Sequence, residues 1–340
     1  MKQFEAMDDT KFSVIAPGRL HMGFIDMHGG LGRQFGSLGL CLSEIYTELS
    51  VSPAKGLSAE GPDADRALTV AREILSSFGI DEGVAIRIRR AIPPHTGLGS
   101  GTQMALAVGS AITRLFEIDS TSSELASILD RGNRSGIGIG GFLHGGFIVD
   151  GGRSSSTLVP PVISHLKIPE SWRFVLVFDE SQRGLEGDKE KAAFTQLPAM
   201  SEATAAMLCR LVLMQVLPAV AENDCQQFGA AVTTIQEMMG DYFYGSQGGM
   251  YNSVAVGDVL PAFLAHGATG IGQSSWGPTG FAIFPHETNA YQALKQLKSS
   301  LQGNDTLKFM VCRCRNMPAL VQQECGRLGD RVGQSIKSSN

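Results

Sequence analysis

The chain predicts an α+β fold in two domains, a mixed α/β domain over residues 1–170 and a split-βαβ domain over residues 171–340. Three observations lead there. A length of 340 residues with 43% hydrophobic side chains is enough for about two cores. An extended segment, a glycine loop and an apolar helical run follow one another between Val84 and Leu115. Beyond Asn252 the pattern runs helix, strand, strand, helix, strand, the order of part of a split βαβ unit. Pro160-Pro161 and Pro169 interrupt regular structure near the junction, which places the boundary between 165 and 180.

In order along the chain, Phe12 to Ala16 reads as a short strand, which Pro17-Gly18-Arg19 turns into a glycine-rich stretch from Gly23 to Gly39. Leu42, Ile45, Thr47, Leu49 and Val51 then alternate, with one irregularity, as in a half-buried strand from Leu40 to Val51. Ala64 to Phe78 has helical spacing, with Asp63 or Asp65 as its cap and Gly79 as its stop. Val84 to Arg89 is a strand, and the helix after the glycine loop runs to Phe116. Thr121 or Ser122 caps a short helix through Leu129, and Arg131 to Gly138 forms a second glycine loop. Phe142 to Val149 and Trp172 to Phe178 read as strands. Ser201 to Val220, Glu222 to Met239 and Asn252 to His266 read as helices. Strands at Ala268 to Gly272, Phe281 to Phe284 and Leu307 to Cys312 enclose a helix from Asn289 to Leu301.

A net charge of −5 argues against a duplex-binding surface, so nucleic acid is not an expected partner. Met1 to Thr10 carries Glu5, Asp8 and Asp9 and lacks the apolar stretch of a secretory signal. No run reaches the ~18 consecutive apolar residues of a membrane span, so a cytoplasmic protein with no membrane partner is expected. The six cysteines are scattered, and Cys312-x-Cys314 has neither zinc nor redox spacing, which points to free thiols in a reducing compartment.

The chemistry concentrates in the loop Pro93-Pro94-His95-Thr96-Gly97-Leu98-Gly99-Ser100-Gly101-Thr102. Its glycines permit positive φ and close backbone approach, and the helix that follows offers unpaired N–H groups to an anion. Phosphate or pyrophosphate is the natural occupant, while a loop serving only chain reversal is the bland alternative.

This loop, together with Ala16-Pro17-Gly18-Arg19 and Gly270 to Gly280, resembles the three motifs of the GHMP kinase superfamily. The resemblance implies a two-domain GHMP-type fold with a ferredoxin-like C-terminal domain. Two departures stand out. Superfamily kinases carry a catalytic Asp after Ser/Cys-Gly-[IV], whereas Ser135-Gly136-Ile137 continues here as Gly138-Ile139; and the third motif holds Gln273-Ser274-Ser275-Trp276 in place of small residues. These departures, with Arg19-Leu20-His21-Met22-Gly23-Phe24-Ile25-Asp26, Gly32-Arg33, Gly36 to Leu40, Arg131 to Phe147 and Arg183 to Gly187, resemble a non-kinase branch, the beta-ribofuranosylaminobenzene 5'-phosphate synthases. The resemblance implies condensation of phosphoribosyl pyrophosphate with 4-aminobenzoate, releasing pyrophosphate and carbon dioxide, in tetrahydromethanopterin biosynthesis. It also implies magnesium and a homodimer. An ATP-dependent small-molecule kinase with a relocated base and a catalytically silent phosphate-ligand sensor are the alternatives.

The inferred reaction calls for two anion sites, an apolar slot and exclusion of water. Arg19, His21, His95, Gly97, Gly99, Ser100, Gly101 and Thr102 are the phosphate and pyrophosphate candidates, although a lone histidine is more often structural. Asp26, Arg33 and Arg183 are the catalytic candidates: Arg33 to pair with carboxylate or phosphate, Asp26 to orient a ribose hydroxyl or oppose developing positive charge. For Asp26 and Arg33 a plain ion pair, and for Arg183 a solvated loop arginine, is the competing reading. Magnesium would fall to Asp26 and Ser100. Gln273, Ser274, Ser275 and Trp276 would meet the aromatic substrate, unless the indole is simply core.

Overall fold

A computed structural model of the chain describes residues 10–182, 184, 194, 197–300 and 306–324. The first sheet is built on a long antiparallel pair, β1 (Lys11–Asp26) and β2 (Phe35–Ala54). β2 also pairs with β4 (Gly83–Arg90) and β5 (Phe147–Asp150); β3 (Ser58–Glu60) flanks β4, and β6 (Val162–Leu166) flanks β5. On one face lie α1 (Ala64–Ser77), α2 (Ser100–Leu115), α3 (Ser122–Ile128) and α4 (Ile137–His144). Val14, Leu49, Val51, Ile86 and Ile88 of the sheet meet Ile74, Leu106, Ile112 and Leu125 of the helices there.

The second sheet begins with β7 (Arg173–Asp179) and continues through β8 (Gly270–Gln273), β9 (Thr279–Phe284) and β10 (Leu307–Cys312) in the order β10-β7-β9-β8. Alternation along β7 divides its side chains between two cores. Phe174 and Leu176 join Leu20, Met22, Leu38, Leu40 and Phe147 of the first sheet, whereas Val175 and Val177 pack on α8 (Val254–Ala265) and α9 (Glu287–Ser300). The core between the sheets is completed by α5 (Glu202–Leu211), α6 (Leu217–Ala221) and α7 (Cys225–Gln247). The helical stretch Glu202–Ala221 has a mean hydropathy of 1.7 and the length of a membrane span, yet Ala205, Leu208, Val212, Val216, Ala219 and Val220 are buried in that core.

Four sequence expectations are corrected. Pro17-Gly18-Arg19 does not turn the chain: β1 runs straight through it, and register shifts between Pro17 and Arg19 and between His21 and Gly23 absorb the irregular residues as bulges. Gly138 to Phe142 is helix, not loop and strand, because the glycines let α4 pack tightly between α2 and the first sheet, and strand begins only at Phe147. Asp63 does not cap α1 with its side chain; it takes φ 62° and pairs with Arg66 at 3.2 Å. The helix expected to begin at Glu222 begins at Cys225, after an Asp224 cap, and extends past Met239 to Gln247. The chain also returns to the first sheet through a strand that the sequence did not signal, β11 (Leu320–Glu324), antiparallel to β1. Between α5 and α6 the backbone widens to a π-turn at Val212–Val216, just where Pro218 cannot donate to the preceding turn.

Phe228 of α7 joins the layers, with ring centroids 5.1 Å from Trp172 and 5.6 Å from Phe147. Phe228→Ala is expected to remove about 3–5 kcal/mol from the unfolding free energy in urea; a loss under about 1 kcal/mol would show that the two sheets do not depend on this contact.

Candidate active site

The glycine loop leaves β4 through Ile92 and Pro93 and enters α2 at Ser100. Gly97 and Gly99 have φ 77° and 84°, and Gly99 is an N-cap without a side-chain bond, so the first-turn N–H groups of α2 have no side-chain cap. A Cβ on Gly97 would collide with the carbonyl of Ser274, and one on Gly277 with that of Thr96, so glycine on both sides lets the two loops interlock. Ser274 Oγ donates to the Gly97 carbonyl at 2.7 Å and accepts from the His21 N–H at 3.0 Å. The Ser275 N–H donates to the His21 carbonyl at 3.1 Å, and the Arg19 N–H to the Leu98 carbonyl at 3.0 Å. The Arg19 guanidinium also donates to the Gly97 carbonyl. Arg19, His21, Gly97, Gly99, Ser274 and Ser275 thus form one connected cluster.

Two arginines absent from the sequence candidates complete the anion side. A Cβ placed on Gly101 would lie 3.7 Å from a guanidinium nitrogen of Arg131 and 4.0 Å from one of Arg66. Arg66 also donates to Ser100 Oγ at 3.4 Å. Arg131 Nε is buried without a hydrogen-bond partner, and burial followed by the charge of Arg66 lowers its pKa. Two like charges at a helix N-terminus repel each other, and a polyanion seated there would offset that cost. Arg66 was hidden as half of an i,i+3 ion pair; Arg131 stood in the second glycine loop and could have been read from it.

This donor set does not fit a protein-held magnesium. Ser100 Oγ faces a guanidinium, Asp26 Oδ1 accepts from the N–H groups of His28 at 2.7 Å and Gly29 at 2.9 Å, and the described residues contain no cluster of three His, Cys, Asp or Glu able to ligate a metal.

Behind the loop lies a narrow cavity lined by His21, Phe24, Phe194, Phe243, Trp276, Met239, Met250, Gln236, Gln247 and Gln273 among others, with no carboxylate among the described residues. His21 and Trp276 are 2% and 5% exposed, and His21 Nε2 and Trp276 Nε1 are both buried without partners. Burial first, then the positive charge of Arg19 and a smaller effect from Arg134, lowers the His21 pKa to about 3. The Gly23 N–H donates to His21 Nδ1 at 3.4 Å, which leaves the proton of the neutral ring on Nε2. Two N–H donors in a neutral, ring-lined space under a positive field suit an aromatic ligand bearing oxygen.

Most of the remaining described candidates are engaged in contacts of their own. Asp26 closes the turn after β1, and Arg33 donates to the carbonyls of Gly151 and Gly152, both at 2.8 Å. His95 has φ 61° and its carbonyl accepts from the Gly184 N–H at 2.8 Å. Gln273 lines the cavity while its amide donates to Gln247 at 3.0 Å. The Thr102 side chain packs on Gly138. Arg183 lies outside the described residues.

Residues 65–146 match the GHMP kinases N terminal domain and residues 216–303 the GHMP kinases C terminal domain. A beta-ribofuranosylphenol 5'-phosphate synthase from Methanothermobacter thermautotrophicus is 32% identical over 78% of this chain and 87% of that protein. One from Archaeoglobus fulgidus is 33% identical over 78% of this chain and 86% of its own. The chain belongs to the beta-ribofuranosylphenol 5'-phosphate synthase family. It is accordingly an enzyme of that family within the GHMP superfamily. A homoserine kinase structure from Cytophaga hutchinsonii shares the fold, with TM-score 0.65 and 19% identity over 95% of this chain and all 100% of that one.

The fold explains how this synthase-family chain departs from the kinases. A Cβ on Gly138, where the resemblance puts the kinase Asp, would lie 3.0 Å from the Thr102 side chain, so a carboxylate there requires Thr102 to shift. Gly138→Asp is expected to destabilise the protein by about 1–3 kcal/mol in urea unfolding without conferring ATP phosphotransfer; a stable, ATP-consuming variant would contradict this packing. Histidine in the unfolded chain titrates near 6.5, so between about 6.5 and about 3 unfolding takes up a proton that native His21 refuses. Stability therefore falls as pH drops through that window, by up to about 1.4 kcal/mol per unit. Replacing His21 with Gln should flatten this acid limb in urea midpoints measured from pH 7 to pH 4.

Proposed function

We propose that the enzyme transfers the 5-phosphoribosyl group of phosphoribosyl pyrophosphate to the ring carbon bearing the carboxylate of a para-substituted benzoate. The observation that carries this reading is the juxtaposition, through Ser274, of an arginine-flanked helix N-terminus with a ring-lined cavity. In this reading the α2 N–H groups, Arg66 and Arg131 receive the pyrophosphate, whose charge grows as the anomeric C–O bond breaks. Donors fixed in advance stabilise that charge without reorganisation, and one such donor is worth about 2.7–4 kcal/mol. The ring carbon closes a C–C bond to the anomeric carbon, and the C–carboxylate bond then breaks. Its electron pair restores the aromatic ring and carbon dioxide leaves, so the balance needs no external base. Neutral His21 fits this sequence as a hydrogen-bond donor and not as a proton acceptor. Magnesium would arrive on the pyrophosphate of the donor, and no step here depends on it.

The sequence resemblance names 4-aminobenzoate as the acceptor, whereas the relatives carry a phenol in the name of their product. Buried N–H donors favour the hydroxy acid, because a phenol oxygen accepts a hydrogen bond that an aromatic amine accepts poorly. Incubation of the purified protein with phosphoribosyl pyrophosphate and each carboxyl-labelled acid is expected to release labelled carbon dioxide, with the higher kcat/KM for 4-hydroxybenzoate. No release from either acid would sink the reading. Release that survives Arg131→Ala undiminished would move the pyrophosphate elsewhere.

A further inference from the structure

The helical stretch from Glu202 to Ala221 is apolar on both of its faces. Ala205, Leu208, Val212 and Val216 point into the core between the sheets, yet only about a third of the stretch is buried. Met207, Leu213 and Met214 are 46, 64 and 67% exposed, and Ala203 and Ala206 are exposed with them. With Arg210, these positions follow the i, i+3, i+4, i+7 spacing of a single helix face. The exposed face is therefore a continuous apolar stripe on a helix whose other face already anchors the fold.

Two charges tell what fits the stripe. Glu202 lies in the first turn of α5 and Arg210 in the last, both exposed, and neither forms an ion pair among the described residues. They stand about 12 Å apart along the axis, with Ala206 midway between them. One charge of each sign, placed evenly about a small residue, is self-complementary under a two-fold axis. A second copy laid antiparallel with the axis at Ala206 brings Glu202 against the partner's Arg210, and the same pair recurs on the other side. Moving the axis to Arg210 would oppose two guanidiniums, so charge selects the register. The short side chains of Ala203 and Ala206 let the two helices approach closely at the crossing, and the antiparallel dipoles favour the arrangement. Leu213 and Met214 then meet the exposed Pro198 and Ala199 that precede the partner's α5.

We propose that the outer face of α5, continued through Leu213 and Met214, is the contact between two copies of this chain, packed antiparallel about a two-fold axis at Ala206. The contact borders the site: the Met200 carbonyl, just before α5, is 2.9 Å from His28 Nδ1 in the turn that Asp26 closes. Docking a second copy there steadies the end of the strand that carries Arg19 and His21.

Sedimentation equilibrium of the full chain across micromolar concentrations is expected to show a dimer. Glu202→Arg and Arg210→Glu should each raise its Kd about tenfold, while the double variant returns to within about threefold of the wild type. Ala206→Cys in a Cys209→Ser background should be captured by diamide as a disulfide-linked dimer well above the level of Cys209→Ser alone. All four positions are exposed, and an unchanged circular dichroism spectrum checks that each variant folds. A chain that stays monomeric throughout, or a dimer indifferent to both single charge reversals, would overturn the proposal. So would a monomer that pellets with phosphatidylglycerol vesicles, which would assign the stripe to a lipid surface.

Discussion

The site depends on one buried hydroxyl. Ser274 Oγ takes the N–H of His21 from the first strand and gives its own proton to Gly97 in the glycine loop, although Ser274 itself sits in the turn between β8 and β9 of the other sheet. Both halves of the molecule and both halves of the site meet there. The backbones approach closely enough for that bond only because Gly97 and Gly277 carry no side chains. The same contact sets the glycine loop directly in front of the ring-lined cavity, so the spacing between loop and cavity is fixed by main chain rather than by flexible side chains.

The described residues gather positive charge around the site, with Asp63 paired to Arg66 and with Asp130 and Glu73 acting on Arg131. Arg19, Arg66, Arg131 and Arg134 gather about the loop and cavity, while Asp26 is spent on its own turn and Asp150 is consumed by the Gly136 and Gly152 N–H groups and Ser37. Burial raises the Asp150 pKa and those hydrogen bonds pull against it, which marks it as a structural carboxylate. A field of this sign favours bound anions and adds to burial, the larger cause, in lowering the His21 pKa. Such a place suits the proposed transfer, in which negative charge is held and no proton is abstracted.

Much of this was legible in the sequence because it rests on local rules. The strand, glycine loop and helix at 84–115 followed from periodicity and from where glycine is needed, and Trp276 stood out as a large ring among residues that are usually small. What was not legible depends on distant parts of the chain. The run Gly138-Ile139-Gly140-Gly141-Phe142 has poor helix propensity and is helical because its glycines fit against Thr102, Cys41 and Val162. Pro17-Gly18 reads as a turn in isolation, and only the β2 partner with its register shifts keeps it extended. Arg66 and Arg131 look like ordinary surface arginines until folding brings them to one helix end.

The pairing of β11 with β1 joins Lys11 to Glu324. The strand that carries Arg19 and His21 therefore has an open edge until residues 320–324 are made, able to accept an extended segment that reaches it. Only when residues 320–324 have left the ribosome can that edge be closed by its own partner, at the loop-closure cost of more than three hundred intervening residues. Completion of the first sheet thus waits on a segment made long after β1, and until then the nascent chain is exposed to mispairing along the very strand that the site is built on.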